Sequence, residues 1–220
     1  MAHAKVKVVY DTTLDLLSQN NGDYLGIEEF NRFAFQASNG YYDDLTGSRT
    51  NPRIVYGKNR IVDRRLNGFR ATVELSVDDE GVVSLPEDLG FIRTILHNGD
   101  AVRPIDEDRI GKINKDTLAS PNEDDKYYSE TGEGIRIINK DIKQITLMYL
   151  KKPSPPKYAY TMQEVGGRQR PVYDSENSVD FIGWDERETP ELVTRILAKA
   201  GVTMRDGFIT NTTIQNKSEE

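Results

Sequence analysis

The sequence predicts an α+β fold: an N-terminal helical hairpin, antiparallel β-hairpins forming a small sheet or sandwich, a C-terminal amphipathic helix and an extended arm. Three observations predict it. Apolar residues recur at helical steps up to about Asp44, the period falls to two from Ala71, and Thr189-Pro190 opens a new helical pattern. The expected organisation is one domain, with the hairpin at 1–48, a basic connector, β-rich core and C-terminal helix at 49–200, and an arm at 201–220.

Val6, Val9, Tyr10, Leu16 and Leu17 fall at near-helical spacing, so 5–19 reads as the first helix in preference to a short strand followed by a helix, and Asn20-Asn21-Gly22-Asp23 ends it. Ile27, Phe30, Ala34, Ala37 and Tyr41 then form one apolar stripe down a second helix. Glu28 and Glu29 sit in its first turn, where free N–H groups and the helix dipole favour carboxylates.

The acidic, glycine-containing run before that helix invites a calcium-loop interpretation. The motif needs Gly at its sixth position and a bidentate Glu at its twelfth. Gly22 as sixth puts Leu17 where the first carboxylate belongs, and Glu29 as twelfth puts Ser18 there and Asp23 in place of the glycine. Both registers fail, and a structural turn accounts for the same residues.

From Ala71 onward, Val73, Leu75 and Val77 alternate with polar residues, and Asp78-Asp79-Glu80-Gly81 leads into Val82–Leu85, which reads as a hairpin. Asn98-Gly99 marks the tip of another. A polar stretch from Asp106 to Lys126 is expected to hold a short helix and a loop. A third pair is expected between Gly134–Ile138 and Ile145–Leu150. Pro153, Pro155 and Pro156 then force an extended, unpaired path. A Gly-rich polar loop at Gly166-Gly167 precedes a short strand at Val179–Phe181. Thr189 is placed as the cap of a helix with Pro190 at its first position, Leu192, Val193, Ile196 and Leu197 as its buried face, and Gly201 as its stop.

Composition narrows the function. The chain of 220 residues is long enough for one large domain or two small ones and carries a net charge of −7. That balance argues against wholesale nucleic-acid binding. No cysteine is present, so disulfides, thiolate metal sites and cysteine nucleophiles are excluded. The two histidines, His3 and His97, lie near no nucleophile signature. Gly132-Glu133-Gly134 and Gly166-Gly167 lack the strand–loop–helix context of a phosphate-binding loop. Glu123, Asp124 and Asp125 fit a solvated loop better than a cation site. The triplets beginning at Asn211 and Asn216 match a glycosylation acceptor, but MAHAKVKVVY lacks a signal peptide's apolar core. No apolar run reaches the roughly 18 residues of a membrane span. These features predict no catalytic residue, no cofactor and no metal, in a protein made in the cytosol.

The strongest charge feature lies between Gly47 and Arg70, where seven basic side chains face the single acid Asp63, leaving +6 there and −13 on the rest. Three interpretations stay open: a solvated helix face, a phosphate contact without base readout, or a protein contact through bidentate arginines. The acidic remainder makes a second copy of this chain a fitting partner, joined head to tail.

GDYLGIEEFN, GVVSLPEDLGFIRTI, GIRIINKDIKQITLMYLKKPSPPKYAY and SVDFIGWDERETPELVTRILAKAGVTMRD occur in that order. As an ordered set, from about Val9 to Asp206, they resemble the neck ring or head-to-tail adaptor proteins of tailed bacteriophages, particularly of crAss-like phages. Asn139 stands where that pattern often carries proline. The resemblance implies a non-enzymatic virion protein, first in the host cytoplasm and then in the neck. It implies a ring, usually of twelve copies, stacked beneath the portal protein and contacting other neck and tail proteins. Packaged DNA passes through its lumen without sequence-specific binding. Expected interface residues are Arg60, Arg64, Arg65 and Arg70 in the basic segment, Pro153, Pro155 and Pro156, and Phe208, Ile209 and Ile214 in the C-terminal arm. The competing expectation is a monomeric β-rich module that binds a peptide or sugar through Tyr158, Tyr160 and Trp184. A carboxylate-based hydrolase has no identifiable acid/base pair.

Overall fold

The computed structural model describes residues 3–20, 25–47, 60–106, 109–110, 126–132, 134–139 and 141–201. The fold is α+β. In chain order it begins with β1 (His3–Ala4), α1 (Val6–Asn20), α2 (Ile27–Thr46) and α3 (Arg60–Arg65). Seven strands follow: β2 (Arg70–Ser76), β3 (Val82–Val83), β4 (Leu89–His97), β5 (Asp100–Pro104), β6 (Tyr127–Thr131), β7 (Gly134–Ile137) and β8 (Gln144–Lys151). The chain ends its described part with β9 (Tyr160–Val165), β10 (Arg168–Tyr173), β11 (Phe181–Asp185) and α4 (Thr189–Lys199). Two compact units emerge, Met1–Gly68 with Pro153–Glu220, and Phe69–Lys152. Their borders lie at neither 48 nor 200, where the sequence divided the chain.

In the first unit, α4 packs on α1 and α2, and β1 pairs antiparallel with β11. The predicted apolar stripes supply the core: Val6, Val9, Tyr10 and Leu17 of α1, Phe30, Ala34, Ala37 and Tyr41 of α2, and all four expected residues of α4 are buried. Gly47 closes α2 at φ 72°, its N–H bonded to the Asp43 carbonyl. The start of α4 departs from expectation. Thr189 is the first helical residue rather than the cap, and a 3₁₀ turn, Glu186–Glu188, precedes it. Glu188 occupies the cap position without capping, because its carboxylate is turned inward to Tyr41.

The second unit is a seven-stranded sheet in the order β2-β8-β4-β5-β6-β7-β3. Neighbours are antiparallel except β5 and β6. Asn98 at φ 53° and Gly99 at φ 89° give the two left-handed positions that turn β4 into β5, as the dipeptide foretold.

Two other expected hairpins are not formed. β2 pairs with β8 and β3 with β7, so the strands on either side of Asp78–Gly81 stand at opposite ends of the strand order. Likewise β7 pairs with β6 and β3, while β8 lies between β2 and β4. A flat sheet of this order would separate β2 from β3 by about 29 Å, at ~4.8 Å per neighbour. The link from Ser76 to Val82 reaches at most about 21 Å. The sheet therefore curls, and its inward residues, including Val83, Ile95, Ile135 and Leu147, form one buried cluster. Gly134 permits the close approach of β7 to β3: at φ 148°, a Cβ there would stand 2.6 Å from the Val83 carbonyl oxygen.

Candidate functional site

The expected interface residues fall in three environments. Arg64 is exposed on α3, and Arg70 is exposed at the start of β2. The backbone of Arg60 opens α3. Phe208, Ile209 and Ile214 lie outside the described residues, as do residues 21–24, 123–125 and both glycosylation triplets.

Arg65 is also exposed, yet it is engaged by partners in its own unit. Its Nη1 donates to the Tyr41 hydroxyl at 3.0 Å, and its Nε lies 3.6 Å from Glu188 Oε1. The Tyr41 hydroxyl in turn donates to Glu188 Oε2 at 2.5 Å. A buried carboxylate is costly unless its charge and lone pairs are matched, and here a cation and a phenol match it. Burial, reinforced by this hydrogen bond, pushes the Tyr41 phenol well above its ordinary value. The Tyr41 ring lies nearly parallel to Trp184, centroids 4.5 Å apart, and the Arg195 guanidinium sits 4.7 Å from its centroid. Arg195 also bonds Asp44 at 2.7 Å and Glu191 at 2.6 Å. Trp184 donates from Nε1 to Ser38 Oγ at 2.8 Å. This cluster ties α3, α2, β11 and α4 together.

The proline segment is extended through Pro156, with Pro153 half-buried, Pro155 exposed and Pro156 buried. Pairing resumes immediately afterwards: Lys157 and Val179 exchange backbone hydrogen bonds of 2.9 and 2.8 Å. Tyr158 then anchors the chain, its ring 4.3 Å from Tyr10 and 4.9 Å from Tyr173. No family model matches this chain, and no curated protein matches its sequence.

Beyond Tyr158, where the Gly-Gly pair and polar composition predict a loop, stands a further paired element. β9 and β10 form a regular hairpin, paired from Tyr160↔Tyr173 to Val165↔Arg168. Gly166 at φ 64° and Gly167 at φ 75° make its tip, the two left-handed positions of a type I′ turn. Residues directly opposite share a face, so Tyr160, Met162, Glu164, Gln169, Pro171 and Tyr173 lie on one side and Thr161, Gln163, Arg168, Arg170 and Val172 on the other. Only the base is packed. Tyr173 meets Tyr158, the Ala159 N–H donates to Ser178 Oγ at 2.9 Å, and the Asp174 N–H donates to the Ala159 carbonyl at 3.0 Å. From Tyr160 outward, every described side chain up to Pro171 is exposed. The signal was present: Gly-Gly between two alternating runs is a hairpin signature.

Among the described residues, no group of three or more His, Cys, Asp or Glu side chains is placed to hold a metal ion. No described helix is long and apolar enough to cross a membrane. Of the three aromatics a recognition module would present, Trp184 is fully buried, Tyr158 is 8% exposed and only Tyr160 is open.

Proposed function

We propose that this chain is a non-enzymatic structural subunit of a bacteriophage virion, a member of an oligomeric neck ring that joins capsid to tail below the portal protein. The observation that carries the proposal is the ordered set of sequence segments between about Val9 and Asp206, while the competing module is weakened by the burial of Trp184 and Tyr158. They serve as internal packing rather than as a ligand platform, and the ionisable cluster around Tyr41 is likewise spent on holding helices together. This disposition favours an assembly role over a peptide- or sugar-binding module. The ordered sequence resemblance supports the same choice. In such a ring the net charge of −7 suits a conduit through which DNA must slide without adhering.

Electron microscopy and analytical ultracentrifugation of the full chain, alone and mixed with portal protein, test the proposal. Closed rings of about twelve copies, formed alone or on the portal, are the expected result. A chain that stays monomeric in both conditions overturns it.

A further inference from the structure

We infer that the β9–β10 hairpin is a docking arm that seats on a neighbouring copy of this same chain. The inference rests on the ring proposal above and names the element that makes one of its contacts.

A lone two-stranded hairpin is marginal in water. This one has a fixed base and a shaped tip, yet its Tyr160 and Met162 are 40% and 53% exposed, on one face with the exposed Pro171. Glu164 and Gln169 make the tip end of that face polar, and the apolar patch of Tyr160, Met162 and Pro171 behind them, which their own subunit leaves open, is suited to burial elsewhere. Pro171 has no N–H, so β10 makes a poor template for an added strand, which favours contact through faces over growth along that edge.

Charge and size select the occupant. Residues 160–173 carry Arg168 and Arg170 against Glu164, a net +1 on a chain whose other residues total −8. The body of a second copy is thus complementary to the arm. With six residues per strand, the hairpin is about 20 Å long and offers roughly 400 Å² over both faces. A self-sufficient interface needs about 800 Å² per partner. The arm alone is too small to hold a freely diffusing protein. It is adequate between subunits that a closed ring already keeps adjacent, where effective concentration is high.

Hydrogen exchange across a concentration series of the full-length protein, with sedimentation on the same samples, tests this directly. The expected result is association of the wild-type chain with slowed exchange at residues 160–173 in the associated form. Met162→Glu on one face, and Arg168→Glu with Arg170→Glu on the other, should each weaken association about tenfold or more while leaving thermal unfolding unchanged. If the wild type associates while hairpin exchange stays the same, the arm inference falls and the ring proposal stands. If both variants associate like the wild type, the same conclusion holds. A wild-type chain that never associates, alone or on the portal, overturns both. The exchange measurement needs no variant, so a Met162→Glu chain that fails to fold leaves the test intact.

Discussion

Asn31 grips the backbone of Tyr158 with both ends of its amide: Oδ1 accepts from the Tyr158 N–H at 2.7 Å, and Nδ2 donates to the Tyr158 carbonyl at 3.1 Å. A side chain of α2 thus does what a neighbouring strand would do, 127 residues away in sequence. It satisfies both backbone groups at the point where the chain returns to the first unit.

Asn31→Leu should therefore destabilise the first unit by about 2–4 kcal/mol, since two part-buried backbone groups lose their partners. Asn31→Asp, which keeps the acceptor and loses the donor, should cost about 1–2 kcal/mol. Denaturant unfolding followed by Trp184 fluorescence measures both. Equal losses for the two variants would contradict the two-ended grip.

Gly68 offers a sharper test. A Cβ at this position would stand 2.2 Å from the carbonyl oxygen of Gly183, backbone against backbone. Nothing flexible is available to move aside. Gly68→Ala should cost about 3 kcal/mol or more and lower the thermal midpoint by several degrees. Gly132→Ala, where a Cβ meets nothing within 4 Å, is the matched control.

Tyr41 gives a pH-dependent prediction. Burial and the bond to Glu188 hold its phenol neutral, so the unfolded chain ionises this group at lower pH than the folded one does. Its contribution is complete below about pH 10, the ordinary phenol value, and is lost as pH rises through the higher folded value. The unfolding free energy of the wild type should fall between about pH 9.5 and 11 more steeply than that of Tyr41→Phe. At neutral pH, Tyr41→Phe should cost about 1–3 kcal/mol, because the buried Glu188 loses a donor.

Ser129 works in the opposite direction. Its hydroxyl is buried in β6 with no hydrogen-bond partner among the described residues. Ser129→Ala removes a desolvated group without removing a bond, so the second unit should gain up to about 1 kcal/mol. A loss above about 1 kcal/mol in calorimetry would show that the hydroxyl is satisfied.

The helices were legible because period and burial agree: the stripe from Phe30 to Tyr41 and the four apolar residues of α4 face the core as their spacing required. The β4–β5 turn was legible from Asn98-Gly99 because that pair tolerates the needed left-handed backbone. Strand pairing was not. Sequence neighbours usually pair, but the partners of β2 and β3 are set by closure of a curled sheet, which no local signal records. The β9–β10 hairpin escaped notice because its strands are polar on one face and interrupted by Pro171, features that normally demote a strand. The function of Arg65 was hidden for another reason: its partner Glu188 comes later in the sequence than the whole of the second unit, and composition reports only a basic run.

The insertion of the second unit has a consequence for how the protein is made. Arg70 and Leu150 are paired neighbours, so the inserted sheet begins and ends at nearly one place and can close once β8 has emerged from the ribosome. By contrast, α1 and α2 lack β11 and α4 until the last part of the described chain is synthesised. Folding should therefore proceed from the middle outward, with the early helices waiting, their apolar stripes uncovered, for the final elements to arrive.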